Sequence, residues 1–310
     1  MGPESSQGAM PKWQQALLAR HQLAPDYLPD ALKWFAPLAQ ALAVHQMDAG
    51  RPVLVGLNGC QGSGKTTLSD LLANLLRQEH GRRAVALSID DFYLTAAQRQ
   101  ALAQSVHPLL RTRGVPGTHD MPLLQATLTA LLDVNRTTPV AIPRFDKAKD
   151  DRHPQADSIG ADTPVDVVIL EGWCLGAAPQ TPAALQPAIN SLERQFDSLG
   201  LWRNYCNGVL ERQFPPLYAL VDQWIMLAAP SFDCVFRWRR EQECKLASSV
   251  TATGPNSIMD NAALRRFIQH YERITRDCLQ RLPGMVDHLF KLDEERHIIQ
   301  YLQPCSGVQA

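Results

Sequence analysis

The chain has 310 residues, of which 45% are apolar, and its 30 basic and 31 acidic side chains give a formal net charge of −1 at pH 7. This composition excludes a wholly disordered or coiled-coil protein and is sufficient for a full hydrophobic core. The balanced charge disfavours nucleic acid as a partner, so an anionic substrate must be held by a local cluster of Arg and Lys side chains.

The N-terminal part of the chain is predicted to be helical from Pro11 onward. Apolar side chains recur there at helical offsets, at Leu28, Leu32, Phe35, Leu38 and Leu42. One face of this segment is therefore apolar and needs a larger body to pack on. We predict that residues 1–50 form a helical extension packed on a single α/β domain that occupies residues 51–310.

After residue 50, short apolar runs alternate with amphipathic segments. We predict strands at residues 53–57, 84–89, 140–145, 165–170, 223–227 and 286–292, and helices at residues 68–76, 121–132, 202–213, 231–246 and 261–279. This alternation predicts a mostly parallel sheet with helices on both faces, a three-layer α/β sandwich. The Pro- and Gly-rich stretches at residues 107–117 and 172–187 are predicted to be functional loops.

The sequence Gly59-Cys60-Gln61-Gly62-Ser63-Gly64-Lys65-Thr66 has the full G-x-x-x-x-G-K-[ST] spacing of a phosphate-binding loop and lies between a predicted strand and a predicted helix. Its glycines let successive backbone N–H groups point at phosphate oxygens, and the start of the helix adds its positive dipole end. Lys65 can then reach the β- and γ-phosphates while the Thr66 hydroxyl ligates Mg²⁺. We predict that ATP binds here, with contacts from Gly59, Gln61, Gly62, Ser63, Gly64, Lys65, Thr66 and Thr67. The predicted fold is therefore that of a P-loop NTPase.

Carboxylates follow two of the predicted strands. Glu171 directly follows the strand at residues 165–170, at the sheet edge where ligands bind in open α/β folds. It is predicted to be a metal-site residue for Mg²⁺. Asp90 and Asp91 follow the strand at residues 84–89, where a general base for a hydroxyl nucleophile is expected. Because consecutive side chains of a strand point to opposite faces, at most one of the two should face a substrate. The alternative is that the pair forms a helix cap or turn.

Five stretches of the sequence together resemble the D-glycerate 3-kinase family of plants and its fungal and bacterial relatives, within the phosphoribulokinase, uridine kinase and pantothenate kinase group of P-loop kinases. They are the phosphate loop, Ser88-Ile89-Asp90-Asp91-Phe92-Tyr93, Arg113-Gly114-Val115-Pro116-Gly117-Thr118-His119-Asp120, Pro143-Arg144-Phe145-Asp146-Lys147 and Glu171-Gly172-Trp173. The likeness covers about residues 52–292. It includes an arginine-rich stretch at residues 237–243.

The resemblance implies a role for each matching residue. Asp90 matches the base that acts on the acceptor hydroxyl, and Glu171 the acidic residue near Mg²⁺. The implied acceptor-side residues are Tyr93, Arg113, His119, Asp146, Lys147 and Arg152. Residue chemistry leaves alternatives for two of them, because Lys147 can also be a solvated loop charge and His119 can also brace the loop. Asp120 is expected to cap the helix at residues 121–132.

The arginine-rich stretch resembles a lid that closes over the triphosphate. Arg237 and Arg240 lie three residues apart on one predicted helical face, and an arginine that reaches the transferring phosphoryl group can raise the rate by roughly 10³–10⁵. The alternative is a solvated helix held by internal salt bridges.

The resemblance implies transfer of the γ-phosphoryl group of Mg-ATP to the primary hydroxyl of D-glycerate, which gives 3-phosphoglycerate. A nucleoside, pantothenate or a sugar-type acceptor on the same fold is the nearer alternative. A nucleotide-dependent regulatory ATPase is the more distant one, since the sequence has neither an Asn-Lys-x-Asp nor a Leu-Ser-Gly-Gly motif.

Location follows from two further features. Seven scattered cysteines without a C-x-x-C pair are typical of reduced, mostly buried thiols in a cytosolic protein. The longest purely apolar run, at residues 224–229, is too short to cross a bilayer. We expect a cytoplasmic protein without a membrane partner, and the sequence favours no particular oligomeric state.

Overall fold

The computed structural model describes residues 10–249 and 261–304, without the side chains of residues 242–249. Three predictions therefore fall partly outside the described residues: positions 1–9 of the extension, the side-chain environment of Cys244 on the predicted lid helix, and Cys305. The cysteines that are described, Cys60, Cys174, Cys206, Cys234 and Cys278, are free and buried, as predicted.

The α-helices are, in chain order, α1 (Lys12–His21), α2 (Tyr27–Ala49), α3 (Lys65–Glu79), α4 (Ala96–Ser105), α5 (Met121–Leu132), α6 (Pro182–Leu185), α7 (Ser191–Phe196), α8 (Leu201–Gln213), α9 (Pro215–Tyr218), α10 (Asp233–Ser249) and α11 (Asn261–Arg281). Short 3₁₀ segments occur at Ile89–Phe92, Pro108–Arg111 and Leu282–Gly284. The strands are β1 (Val53–Gly59), β2 (Ala84–Ser88), β3 (Val140–Ile142), β4 (Phe145–Asp146), β5 (Asp151–Arg152), β6 (Asp157–Ile159), β7 (Val167–Gly172), β8 (Gln223–Ala228), β9 (His288–Leu292) and β10 (Ile298–Leu302).

The main sheet has the strand order β10-β9-β8-β1-β7-β2 in the part of the chain that is described. All its neighbouring strands are parallel except β10, which is antiparallel to β9. The carboxyl ends of β1, β7 and β2 therefore meet at one edge of the sheet, where Glu171 lies beside Leu57 on one side and Ser88 on the other. This edge is where open α/β sheets bind their ligands.

Side chains of the central strands alternate between two cores. Val53, Val55 and Leu57 of β1 pack with α1, α2 and α3 on one face, whereas Leu54 packs with α5 and α8 on the other. Both faces are buried because the period of a strand is two residues and helices cover each side. The arrangement confirms the predicted three-layer P-loop sandwich with a mostly parallel sheet.

The helices α1 and α2 contribute directly to the first of these cores. Leu17 and Leu42 are each 1% exposed, and Phe35 packs against Phe290 of β9 with ring centroids 5.1 Å apart. The apolar face read from the sequence of this segment is therefore covered by the sheet and by α3.

Two predicted strands differ from the structure, and some elements were not predicted. Residues 140–145 are not a strand of the main sheet, because β3 pairs with β6 and β4 with β5 in two small antiparallel ribbons beside it. The strand predicted at residues 84–89 ends at Ser88, since the Ser88 hydroxyl accepts a hydrogen bond from the Asp90 N–H and starts the 3₁₀ turn. Strand β10 and helix α4 were not predicted at all.

No helix within the described ranges is both long and apolar enough to span a bilayer.

Candidate active site

The phosphate loop joins β1 to α3 and has the backbone shape that its glycines predict. Gly62 and Gly64 have φ values of +81° and +92°, which side-chain-bearing residues rarely adopt. A Cβ at Gly62 would lie 2.5 Å from the Cβ of Trp238, whereas a Cβ at Gly64 would meet no atom within 4 Å. Buried polar atoms of Gln61 and Ser63 have no hydrogen-bond partner among the described residues. A loop with glycines at positive φ and with unpartnered polar groups fits a phosphate ligand.

Thr66 and Glu171 meet at the metal side of this loop. The Thr66 hydroxyl donates to Oε1 of Glu171 at 2.8 Å, and the Lys65 ammonium lies 3.9 Å from Oε2 of the same carboxylate. Glu171 is 2% exposed, and its Oε2 has no hydrogen-bond partner in the described part of the chain. One hydroxyl and one carboxylate fit Mg²⁺, which in nucleotide sites takes few protein ligands and completes its shell with water and phosphate oxygens.

Asp90 and Asp91 lie on the 3₁₀ turn after β2 and face different surroundings. Asp90 accepts hydrogen bonds from the Tyr93 hydroxyl at 2.7 Å and from the Lys147 ammonium at 3.0 Å. Asp91 accepts from the Arg144 guanidinium at 2.8 Å and from the Phe145 N–H at 3.2 Å. One carboxylate therefore faces the phosphate-loop lysine and the other braces the ribbon that carries Lys147. The sequence predicted that strand alternation would separate the two carboxylates. The structure separates them by the 3₁₀ turn instead.

The pKa values of Asp90 and Asp91 are shifted in opposite directions by these different surroundings. Burial raises the pKa of Asp90, but the ammonium groups of Lys147 and Lys65 and the Tyr93 hydrogen bond outweigh it, so the pKa lies well below its usual range. Burial raises the pKa of Asp91, and the Arg144 guanidinium offsets this only in part. Asp90 is thus the carboxylate held anionic beside the phosphate loop.

Tyr93 and His119 form a stacked pair above Asp90. Their ring centroids are 4.6 Å apart, and their backbones form an isolated antiparallel bridge. His119 is 3% exposed, and neither of its ring nitrogens has a hydrogen-bond partner among the described residues. Burial lowers the pKa of His119 to about 4, so the ring is neutral near pH 7. A neutral, unpartnered imidazole can donate to or accept from a hydroxyl group of a substrate.

The loop at residues 113–120 is shaped by its glycines and by Thr118. The Thr118 hydroxyl accepts from the Gly114 N–H at 3.0 Å and donates to the Val115 carbonyl at 2.7 Å. The Gly114 carbonyl accepts from the Trp173 indole N–H at 3.0 Å, and a Cβ at Gly114 would overlap the ring of Tyr271. The loop is thereby clamped between β7 and α11 with His119 facing the Asp90 side.

The remaining acceptor-side residues have protein partners. Asp150 binds the guanidinium of Arg113, and Asp120 accepts from Arg152 at 3.1 Å. Asp120 also accepts from the Leu123 N–H, which confirms its predicted helix cap. Asp146 accepts from the N–H groups of residues 148 and 149 and so shapes a turn. The Lys147 side chain also has a partner, because it is paired with Asp90 at 3.0 Å while 62% exposed.

Helix α10 passes over the phosphate loop and carries the predicted lid arginines. Trp238 packs on Gly62, Arg237 pairs with Glu294 at 2.8 Å, and Arg240 is exposed. Arg239 belongs to the predicted lid stretch but was not singled out within it; its guanidinium lies over the Phe267 ring at 5.9 Å, and its charge acts on Lys147 and Tyr271, so it lies toward the site. Sequence reasoning missed Arg144 and Asp150, because no spacing rule links them to the residues that they bind.

Comparison with known proteins adds to this geometry. The sequence is 32% identical over 257 residues to the uncharacterized kinase mug58 of Schizosaccharomyces pombe, across 80% of this chain and 85% of that protein. It is 29% identical over 282 residues to the probable ATP-dependent kinase TDA10 of Saccharomyces cerevisiae, across 82% and 89% of the two chains. The structure matches D-glycerate 3-kinase from Cryptococcus neoformans with a TM-score of 0.72 and 26% identity, over 88% of this chain and 98% of that one.

The chain belongs to the D-glycerate 3-kinase family of P-loop kinases. It is an ATP-dependent kinase of a small molecule and a phosphotransferase with an alcohol group as acceptor. No family model matches the chain. The candidate site lies where the phosphate loop, the turn at residues 89–92 and the loop at residues 113–120 converge.

Proposed function

We propose that this kinase transfers the γ-phosphoryl group of Mg-ATP to the primary hydroxyl of D-glycerate, which gives 3-phosphoglycerate and ADP. The main support for the proposal is the place of Asp90, an anionic carboxylate that is hydrogen-bonded to Lys147 and close enough to the phosphate-loop lysine Lys65 to feel its charge. The structural likeness to a D-glycerate 3-kinase supports the choice of acceptor.

The nucleotide half of the site is the phosphate loop. Backbone N–H groups of residues 59–67 and the Lys65 ammonium would bind the phosphates, and Gln61 and Ser63 would offer their unpartnered polar atoms. Thr66 and Glu171 are the residues that would hold Mg²⁺, which when bound offsets the charge of the phosphate oxygens.

The acceptor half lies between the turn at residues 89–92 and the ribbon of β4 and β5. Glycerate carries one carboxylate and two hydroxyls, so it needs a cation and neutral hydrogen-bonding groups. Lys147 and Arg113 supply positive charge there, and Arg113 also lies over the Phe145 ring at 5.4 Å. The unpartnered His119 supplies a neutral partner for a hydroxyl.

In the proposed reaction, Asp90 orients the primary hydroxyl and takes its proton as the oxygen attacks the γ-phosphorus, while the bond to the ADP oxygen breaks. Lys65 and the arginines of α10, at positions 237, 239 and 240, hold the charge of the transferring group, and Arg239 contributes most among the three because Arg237 is already paired with Glu294. Their helix also shields the phosphates from water, which would otherwise accept the phosphoryl group. We further propose a cytoplasmic location, with a small-molecule acceptor and neither nucleic acid nor membrane as partner.

The proposal is tested by coupled ADP release from Mg-ATP with D-glycerate, L-glycerate, uridine, pantothenate and ribulose 5-phosphate, and by NMR assignment of the phosphate position. Asp90→Asn should lower kcat on D-glycerate by about 10²–10⁴ because the base is lost. Asp91→Asn is the matched control, since the amide still accepts from the Phe145 N–H, and its kcat should stay within about threefold.

Faster turnover on another acceptor would overturn the assignment of D-glycerate as the acceptor, while the kinase activity itself would remain supported. ADP release that no acceptor stimulates would instead favour the regulatory ATPase. Equal losses in the two aspartate variants would remove Asp90 as the base.

A further inference from the structure

The N-terminal extension reaches the nucleotide side of the site through one residue. Helix α1 ends at His21, where Gln22 adopts a left-handed conformation, and the His21 imidazole then lies against the first turns of α3. Its Nε2 is 2.9 Å from Oδ2 of Asp70, and its Nδ1 is 3.4 Å from the Thr67 hydroxyl. Thr67 directly follows Thr66 at the phosphate end of α3.

The partners of His21 determine which way each hydrogen bond runs. Asp70 also accepts from Arg20 at 2.9 Å and from the Asn74 amide at 3.1 Å. Burial raises the pKa of Asp70, but the hydrogen bond from His21 and the charge of Arg20 more than offset this, so the pKa lies below its usual value. The carboxylate is therefore ionised and acts as a hydrogen-bond acceptor. In the neutral imidazole the proton lies on Nε2, which faces the Asp70 carboxylate, so Nδ1 is left to accept from the Thr67 hydroxyl.

This contact is part of a packed interface. The side chains of His21 and Asp70 are only 15% and 14% exposed. Leu17 and Leu18 of α1 are buried in the same core as Leu68 and Leu72 of α3. The imidazole is thus held in place from both sides, and a hydroxyl bonded to it loses rotational freedom.

We propose that His21 is a positioning residue of the nucleotide site: held by Asp70, it fixes the Thr67 hydroxyl and the first turn of α3 in the orientation that receives the nucleotide phosphates. Phosphates bind at the N-terminus of the helix that follows a phosphate loop, so Thr67 lies within the turn that they contact. The inference rests on the nucleotide half of the proposed function and is independent of the acceptor.

Two substitutions of His21 separate its two contacts. His21→Asn keeps an acceptor oxygen near the place of Nδ1 and loses the reach to Asp70. His21→Gln keeps a donor near the place of Nε2 and removes the acceptor that faces Thr67. The full chain is titrated with Mg-ADP and Mg-ATP by calorimetry, KM for ATP and kcat are measured, and Tm is recorded for each variant.

We expect His21→Gln to raise KM for ATP and Kd for Mg-ADP about threefold to tenfold, the range that corresponds to one lost hydrogen bond, with kcat within twofold. His21→Asn, which keeps the acceptor that faces Thr67 but loses Asp70, should raise both constants less than His21→Gln does. Arg20→Ala, which removes the exposed partner of Asp70, is the control and should leave both constants unchanged. If His21→Asn is the impaired variant and His21→Gln is not, His21 only anchors α1 to Asp70 and the proposal is wrong.

A double substitution tests whether His21 acts through Thr67. Thr67→Val removes the hydroxyl and keeps the branched shape, so adding His21→Gln to it should produce no further loss of nucleotide affinity. A full additional loss in the double variant would overturn the proposal. Because nucleotide binding needs no acceptor, failure of D-glycerate as a substrate would leave these measurements interpretable.

Discussion

Helix α10 places three arginines within four residues, and their side chains have different surroundings. Arg237 is 53% exposed and pairs with Glu294 of the β9–β10 connection. Arg239 lies over the Phe267 ring at 5.9 Å, and its charge acts on Lys147 at the acceptor side. Neighbouring positions on one helix therefore differ in whether they can reach a transferring phosphoryl group.

We predict that Arg239→Ala lowers kcat at least tenfold, because it removes positive charge from the site side of α10. Arg237→Ala should leave kcat within about threefold, because its partner is a surface carboxylate and exposed ion pairs contribute little. Steady-state kinetics of the two variants with saturating ATP checks this. A larger loss in Arg237→Ala would show that α10 rotates on closure and presents its other face.

The sequence could identify α10 as an arginine-rich helix but not which arginine faces the site. Helical spacing correctly groups Arg237 with Arg240, yet which face turns inward is decided by Trp238 packing against Gly62, a contact between distant parts of the chain. The phosphate loop is the opposite case. Its residues are adjacent in sequence, so its spacing alone predicted a glycine-dependent loop, in which Gly62 and Gly64 have positive φ values.

At the scale of elements, the loop at residues 113–120 depends on a glycine that has no room for a side chain. Gly114 has a φ of +131°, its N–H is held by Thr118, and its carbonyl is held by Trp173. The Tyr271 hydroxyl donates to the neighbouring Arg113 carbonyl at 3.2 Å. Helix α11 therefore sets the position of the loop that carries His119.

Gly114→Ala should destabilise the protein by at least about 2 kcal/mol more than Gly81→Ala, because the new methyl group would overlap the Tyr271 ring in addition to straining the backbone. Gly81 is the matched control, since its φ is +62° and a Cβ there would meet nothing within 4 Å. Urea unfolding of both variants measures the difference. Equal losses would mean that only the backbone conformation matters.

The elements that sequence could predict are the ones with a long, regular apolar pattern. Strands β1, β7 and β8 are buried on both faces and give continuous apolar runs, and helix α5 begins and ends where its pattern does. The ribbons of β3 to β6 have two or three residues per strand, which is too few to show a period. Strand β10 escaped prediction because its pairing with β9 leaves its side chains partly exposed.

At the scale of the whole molecule, two buried histidines link stability to pH. Burial lowers the pKa of both His119 and His270 to about 4, against 6.5 in an unfolded chain. Between these values the unfolded chain binds protons that the folded chain does not, so acid favours unfolding. Each histidine should lower the free energy of unfolding by about 1.4 kcal/mol per pH unit as the pH falls from 6.5 to 4.

His119→Phe should reduce that pH dependence by about 1.4 kcal/mol per pH unit, because a phenyl ring can stack on Tyr93 without titrating. The measurement is the free energy of unfolding in urea at pH 7, 6 and 5. His153→Gln, at an exposed position, is the control and should leave the slope unchanged. A slope that His119→Phe does not alter would mean that the imidazole binds protons over the same pH range in the folded and unfolded chains.

The contacts of Glu171 have a consequence for which anions the kinase admits. Its carboxylate lies against Thr66 and within 3.9 Å of Lys65, at the place where the phosphates would meet the loop. An anion that binds there without a cation is repelled by the Glu171 carboxylate as well as attracted by the Lys65 ammonium, so the two effects partly cancel. Stray inorganic phosphate is therefore attracted less than a loop of lysine and backbone N–H groups alone would attract it. We therefore expect the loop to favour a nucleotide that brings its own counter-charge over free phosphate.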